Sequence, residues 1–170
     1  MRSARVIVVP YDERWKSAFE QIKSEIMDAL GDLCIGIEHV GSTSVVGMSA
    51  KPCIDIDVII KDYSVFKEIT DRLAMIGYIH EGDLGIKDRE AFKYNDNPHL
   101  YNHHLYVCPA YSEELHRHIA FRNYLRDNAD AVLKYSAVKE TGAALFPHDI
   151  DKYIKYKSSF IEEAYRFLGL

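Results

Sequence analysis

Between Ile54 and Ile60 the chain reads Ile-Asp-Ile-Asp-Val-Ile-Ile. Ile54, Ile56, Val58 and Ile60 fall on alternate positions, the period of a strand with one face in a core. Residues two apart on a strand point the same way, so Asp55 and Asp57 project together from the other face. Two carboxylates so close repel unless a proton or a cation lies between them. Magnesium suits such a pair, because it takes hard oxygen ligands and keeps positions for water and substrate phosphate. A solvated sheet face carries the same two acids with no ion at all.

The residues upstream bear on that choice. Ile35, Ile37 and Val40 predict a short strand running into Gly41. Glycine permits a tight turn and close backbone approach. Ser42, Thr43 and Ser44 supply hydroxyls and cap candidates for a following short helix. Glycine turns and helix starts bind anions through free N–H groups. The same tetrapeptide is also ordinary loop composition. Lys51, just before Pro52, meets either a phosphate or solvent. Turn and acids together predict a phosphoryl- or nucleotidyl-transfer site, or the remains of one. A metal there activates an attacking oxygen and stabilises a leaving one.

A Gly-Ser turn followed by Asp-x-Asp on a strand resembles the nucleotidyltransferase superfamily. More closely, His39 to Ser44 and Ala50 to Asp57 resemble the GrpB-like family of predicted nucleotidyltransferases. The resemblance includes Val9-Pro10-Tyr11, Trp15, Asn102 to Val107, Phe121 to Arg126, Tyr135 with Lys139, and Tyr153 with Lys157. It implies an α+β, nucleotidyltransferase-like fold and names no substrate. In an enzyme of this kind Asp55 and Asp57 hold the metal. Gly41, Ser42 and Thr43 cradle phosphates, and Lys51, Arg122, Lys139 and Lys157 balance phosphate charge.

The chain departs from the family pattern in places. Val46 stands where a turn proline is usual, and Asn123 follows Arg122 where an aspartate is usual. The third acid that active nucleotidyltransferases carry on a later strand is absent. The matching stretch, His103 to Cys108, offers histidine. Imidazole favours zinc, manganese or iron more than magnesium, and it also serves as a base near neutral pH. Leu105 and Val107 make the better core pair, so His103 lies on the core face and His104 on the polar one. His104 is thus the candidate third ligand or base. His39 reads as a residue bracing the turn.

The 170 residues suffice for a substantial core, and 48% hydrophobic content fits a globular chain. No run is long and apolar enough to span a bilayer. The start, Met1 to Val6, reads as a strand rather than a signal peptide. Cys34, Cys53 and Cys108 lie scattered in apolar strands, as reduced thiols of a cytoplasmic protein do. A formal charge of -5 argues against broad nucleic-acid binding. A small nucleotide needs only local positive charge.

The pattern predicts one domain over 1–170: a sheet-containing core over 1–110 and a helical subdomain over 111–170 packed on it. Arg5 to Val9 reads as a first strand. Asp12 to Leu30 reads as a helix with Trp15, Phe19, Ile22, Ile26 and Ala29 on one stripe and Gly31 as its stop. Phe66, Ile69, Leu73 and Ile76 mark a second helix ended by Gly77. Tyr78 to Glu81 and Ala91 to Tyr94 read as strands around the polar loop 82–90, a hairpin or a flap. From Ser112 the pattern is helical. There His118, Arg122 and Arg126 stack on one face, toward a triphosphate or an acidic partner, with Arg126 read as solvated. Tyr153, Lys157, Phe160, Ala164 and Phe167 form a last stripe. A lysine on an apolar face snorkels to water or reaches an anion. Tyr106 and Phe92 are candidates to stack on a base.

These readings support two classes of function. One is a metal-dependent nucleotidyltransferase using magnesium or manganese, with zinc as a further option. It moves a nucleotide monophosphate from a nucleoside triphosphate to a small acceptor. The other is a nucleotide-binding module without turnover, with a metal-dependent phosphohydrolase as a third option.

Overall fold

A computed structural model describes residues 4–94 and 97–170; the expectation for Met1 to Ser3 lies outside them. Alternating residues build the centre. Strands β1 (Gly36–Val40), β2 (Ile54–Ile60), β3 (Tyr78–Gly82), β4 (Glu90–Tyr94) and β5 (His103–Pro109) form one sheet of order β1-β2-β5-β4-β3. Only β2 and β5 run parallel, with Asp55 opposite His104 and Asp57 opposite Tyr106. Parallel neighbours need a long crossover, and the chain between β2 and β5 supplies it with a helix and the β3–β4 hairpin.

One face of the sheet takes the apolar side chains. Ile54, Ile56, Val58, Ile60, Leu105 and Val107 pack against helices α1 (Arg14–Leu30) and α2 (Phe66–Met75). The α1 stripe buries Trp15, Phe19, Ile22, Ile26 and Leu30. Burying side chains of this size contributes about 1.5–3 kcal/mol each. Asp12 lies just outside α1 and its carboxylate accepts from the Arg14 N–H at 2.9 Å. The loop after β3 closes as a hairpin.

The opposite face meets helix α3 (Glu113–Arg126), through His118 on Asp57 and Arg122 on Glu38, and helices α4 (Ala129–Leu145) and α5 (Ile150–Leu168) pack with α3 and with each other. The Ser112 hydroxyl caps α3 by accepting from the Leu115 N–H at 3.2 Å. A second core joins Val45 and Met48, from the segment after β1, to Leu125, Ala131, Val132 and Tyr135. Tyr135 stacks on Phe160 at 4.6 Å between ring centroids.

Three expectations change. Residues 5–9 form no strand: Val9 makes an isolated bridge with Ala50, and the Val6 N–H donates to Pro147 O at 2.8 Å. The segment spends its backbone bonds tying the β2 approach to the α4–α5 connection. Phe92 is buried in the core beneath the sheet and cannot stack on a base. Phe167 is exposed, its ring reaching only the edge of α3 at Tyr124, 5.8 Å between centroids.

Candidate functional site

Gly41 and Asp55 meet at the end of β1. Val40 is the register partner of Asp55, and Gly41 has φ 72°, a conformation that favours glycine. A Cβ at Gly41 would overlap the Asp55 carboxylate oxygen and lie 3.1 Å from Asp55 Cβ. The missing side chain is what lets the turn lie against the acid. The next residues, Ser42–Ser44, form a short 3-10 turn. Behind it His39 Nε2 is 2.9 Å from Thr43 Oγ1, and the ring stacks on Phe19. Burial pulls the His39 pKa down to about 4, so it is neutral and braces the turn.

Ser42, Thr43, Lys51, Asp55, His104, Lys139 and Lys157 line one cleft of about 230 Å³, together with Cys53 and Tyr153. The lysines of α4 and α5 thus converge on Asp55. Lys139 is 2% exposed, and its Nζ has no hydrogen-bond partner. It rests 4.5 Å from the Tyr135 ring centroid. Burial, with repulsion from Lys157, pulls its pKa down to about 7. Lys157 is also lowered, by burial and then by Lys51, while Asp55 opposes. The Tyr153 hydroxyl is likewise buried and unpartnered. Each orphaned polar group costs about 1–3 kcal/mol. Three lysines around one half-buried carboxylate leave an excess of positive charge in the cleft.

The acid pair divides into two histidine-bound halves. His104 Nδ1 lies 3.0 Å from Asp55 Oδ1. The hydrogen bond to Asp55 raises the His104 pKa to about 10. In this state His104 holds its proton and is a donor rather than a base. Asp57 is fully buried. His118 Nδ1 lies 2.6 Å from Asp57 Oδ2, and His118 Nε2 lies 3.1 Å from Glu114 Oε1. Burial pulls the His118 pKa down, but the bonds to Asp57 and Glu114 outweigh it and leave it at about 10. Burial pushes the Asp57 carboxyl up against the pull of His118. With Glu114 adding to one side, the pair is an imidazolium and a carboxylate. Asp57 Oδ1 remains buried without a partner.

The metal centre and both arginine readings are corrected here. Asp55, Asp57 and His104 do not form a three-ligand metal centre, and among the described residues no group of three His, Cys, Asp or Glu side chains is disposed to hold a metal ion. The reason is that His104 Nδ1 and His118 Nδ1 already bind one carboxylate each. Asp55 and the unpartnered Asp57 Oδ1 offer hard oxygens of the kind magnesium or manganese takes, rather than the soft or nitrogen-rich donors of a zinc site. Arg122 lies away from the cleft. Its Nη1 donates to Glu38 Oε2 at 2.6 Å and to His39 O at 2.9 Å, and its Nε donates to Asn123 Oδ1. Arg126 is not merely solvated: it donates to Ser44 O at 3.1 and 2.8 Å. The α3 stripe therefore grips β1, β2 and the turn. Sequence reasoning left His118 without its partner Asp57; the i, i+4 spacing of Glu114 and His118 was the available signal.

A larger cavity of about 670 Å³ lies behind the turn, lined by Phe19, Val45, Leu125, Val132 and others. It shares Thr43 with the cleft but holds neither acid, so its size does not make it the seat of the chemistry. Among the described residues no helix is long and apolar enough to cross a membrane.

Comparison with known proteins bears on the family and the fold. A family model described as "GrpB protein" matches residues 5–166. The chain is 33% identical over 168 residues to the glutamate-rich protein GrpB of Alkalihalophilus pseudofirmus, covering 96% of this chain and 95% of that one. It is 30% identical over 160 residues to the UPF0157 protein YqkA of Bacillus subtilis, covering 94% of this chain and 46% of YqkA. The chain thus spans about half the length of YqkA. The crystal structure of the conserved protein GrpB from Enterococcus faecalis superposes with a TM-score of 0.82 at 32% identity, over 96% of this chain and 100% of that one. Cid1 in complex with its short product ApU superposes at 0.55 with 9% identity, over 78% of this chain and 42% of Cid1. At that identity the likeness establishes the fold, which is nucleotidyltransferase-like. The chain belongs to the GrpB family.

Proposed function

We propose that this protein is a metal-dependent nucleotidyltransferase acting on a nucleoside triphosphate and a small acceptor. The observation that carries the reading is the cleft where the unpartnered Lys139 ammonium and Tyr153 hydroxyl face Ser42, Lys51 and Asp55. The triphosphate lies along Gly41, Ser42 and Thr43, with Lys51, Lys139 and Lys157 on its other side. Asp55 and Asp57 would hold one divalent cation, magnesium or manganese, which would supply positive charge to the α-phosphate being transferred. An acceptor oxygen bonds to the α-phosphorus, and the bond to the bridging oxygen breaks. Pyrophosphate leaves under the lysines, which offset its charge in a site of low dielectric. The acceptor's proton leaves to solvent, and His104, which keeps its own proton while bonded to Asp55, serves as a hydrogen-bond donor in the cleft. Arg122 is a positioning residue, through Glu38 and the His39 carbonyl.

The histidine partners of both acids favour a second reading, a nucleotide-binding module without turnover. Titrating nucleoside triphosphates by calorimetry with magnesium and with manganese, alongside a pyrophosphate-release assay, separates the two. Binding with pyrophosphate release supports transfer. Binding without turnover under either metal supports the module, and release of inorganic phosphate alone indicates hydrolysis. Asp55→Asn is expected to abolish metal-dependent nucleotide binding with the fold intact. Equal affinity in variant and parent would refute the role given to Asp55.

A further inference from the structure

Arg89 stands at the other end of the acid pair from the lysines. It ends the β3–β4 hairpin and lays its guanidinium over the Tyr106 ring, 4.4 Å from the centroid. Tyr106 is the register partner of Asp57, and its ring lies 6.3 Å from that of His104 and 6.5 Å from that of His118. Arg89 therefore hangs over the polar face of the sheet beside the reacting groups.

Among the described residues the guanidinium has no carboxylate partner. No ion pair forms on it among the described residues, although Asp57 and Glu114 feel its charge. Both of those acids are already bound by His118. Asp57, Glu114, His118 and Arg89 together sum to zero formal charge, so an incoming anion meets no net repulsion. Arg89 Nε is buried with no hydrogen-bond partner. Arginine presents a planar fork suited to carboxylate and phosphate.

The hairpin that delivers Arg89 is strained. Leu84 has φ 52° and Asp88 has φ 57°, left-handed values at residues that carry a Cβ. Such conformations cost about 1–3 kcal/mol each and persist where the surroundings enforce them, often at ligand sites.

We infer that Arg89, held over Tyr106 by this hairpin, recognises an anionic group, carboxylate or phosphate, on the acceptor. The acceptor is then an anionic hydroxyl or amine compound, entering from the Tyr106 side while the triphosphate occupies the lysine side. Naming the anion as the acceptor's rests on the transfer reading; the anion site itself does not.

Inorganic phosphate and acetate are the probes, read by NMR on the Nε–Hε signal of Arg89 in the intact protein. The signal is assigned by its loss in Arg89→Gln. A saturating shift with phosphate or acetate, absent with chloride at equal ionic strength, is the expected result. The anion that saturates at the lower concentration identifies the group recognised. The Tyr106 ring signals shift in parallel in the parent and at least tenfold less in Arg89→Gln. No saturating shift, or one matched by chloride, would overturn the inference. A shift at Arg89 in a protein that binds no nucleoside triphosphate would keep the anion site and remove the transfer reading. Nucleotide binding with a silent Arg89 would do the opposite.

Discussion

Lys139 is among the residues whose chemistry is most displaced by their surroundings. Burial lowers its pKa to about 7, so the protein carries it half-charged near neutral pH, and a bound phosphate favours the charged form. Triphosphate affinity is therefore greatest below about pH 7 and declines as pH rises through it. At pH 8 binding should take up a proton, seen as dependence of the calorimetric heat on buffer ionisation enthalpy, and Lys139→Met should remove that uptake. The same variant should weaken binding tenfold or more, since a hydrogen bond to a charged group contributes about 1.5–3 kcal/mol. Stability moves the other way. The unfolded chain binds the Lys139 proton more tightly, so the native state gains stability from about pH 7 up to the ordinary lysine range. Lys139→Met should not lower the melting temperature. Much at this scale was legible in the sequence. Lys157 interrupts an apolar stripe, and Asp55 and Asp57 alternate with isoleucines. The role of Arg122 was not, because Glu38 lies 84 residues away in sequence. Arg89 sits in a polar loop with no period to read.

At the scale of elements, two glycines and a cap set the site. Gly41→Ala puts a Cβ into Asp55 at a left-handed φ, costing about 1–2 kcal/mol in conformation alone and pushing Asp55 aside. Denaturant unfolding and metal-dependent nucleotide binding should both report the loss. Gly142 lets α4 lie against α5. A Cβ there would sit 2.9 Å from Tyr156 Cδ1 and 3.2 Å from Tyr153 Cδ2. Gly142→Val should part the two helices that carry Lys139 and Lys157, lowering both the melting temperature and triphosphate affinity. Ser112→Ala removes the α3 cap and should cost about 1 kcal/mol, a fall of about 2–4 °C at this size. The helices and the strands from 36 to 109 were largely legible from their periods. Residues 5–9 were not. Their short apolar run fits a strand, but their backbone bonds go to Ala50 and Pro147, and no local pattern reveals such distant partners.

Across the whole molecule, the sheet carries the acids and the serine turn, whereas the helices carry two of the lysines. The segment through Val6 and Val9 bridges these parts by its bonds to Pro147 and Ala50. Deleting residues 1–9 should speed hydrogen exchange at the Ala50 amide, which donates to Val9 O, and loosen the cleft without unfolding the sheet. A structure-wide protection map checks this. The fold class was legible, since alternating and helical periods separate near residue 110. The convergence of α4 and α5 on Asp55 was not, because helix packing is set by contacts such as Tyr135 on Phe160 rather than by spacing along the chain.

The lonely hydroxyl of Tyr153 and its charged neighbour give the cleft an appetite that water alone can meet only in part. Whatever polyanion settles there clamps two separately built walls in one grip. Heat resistance should then climb with each added phosphate, mono to di to tri, making a simple melting series a ruler for the length of the natural guest.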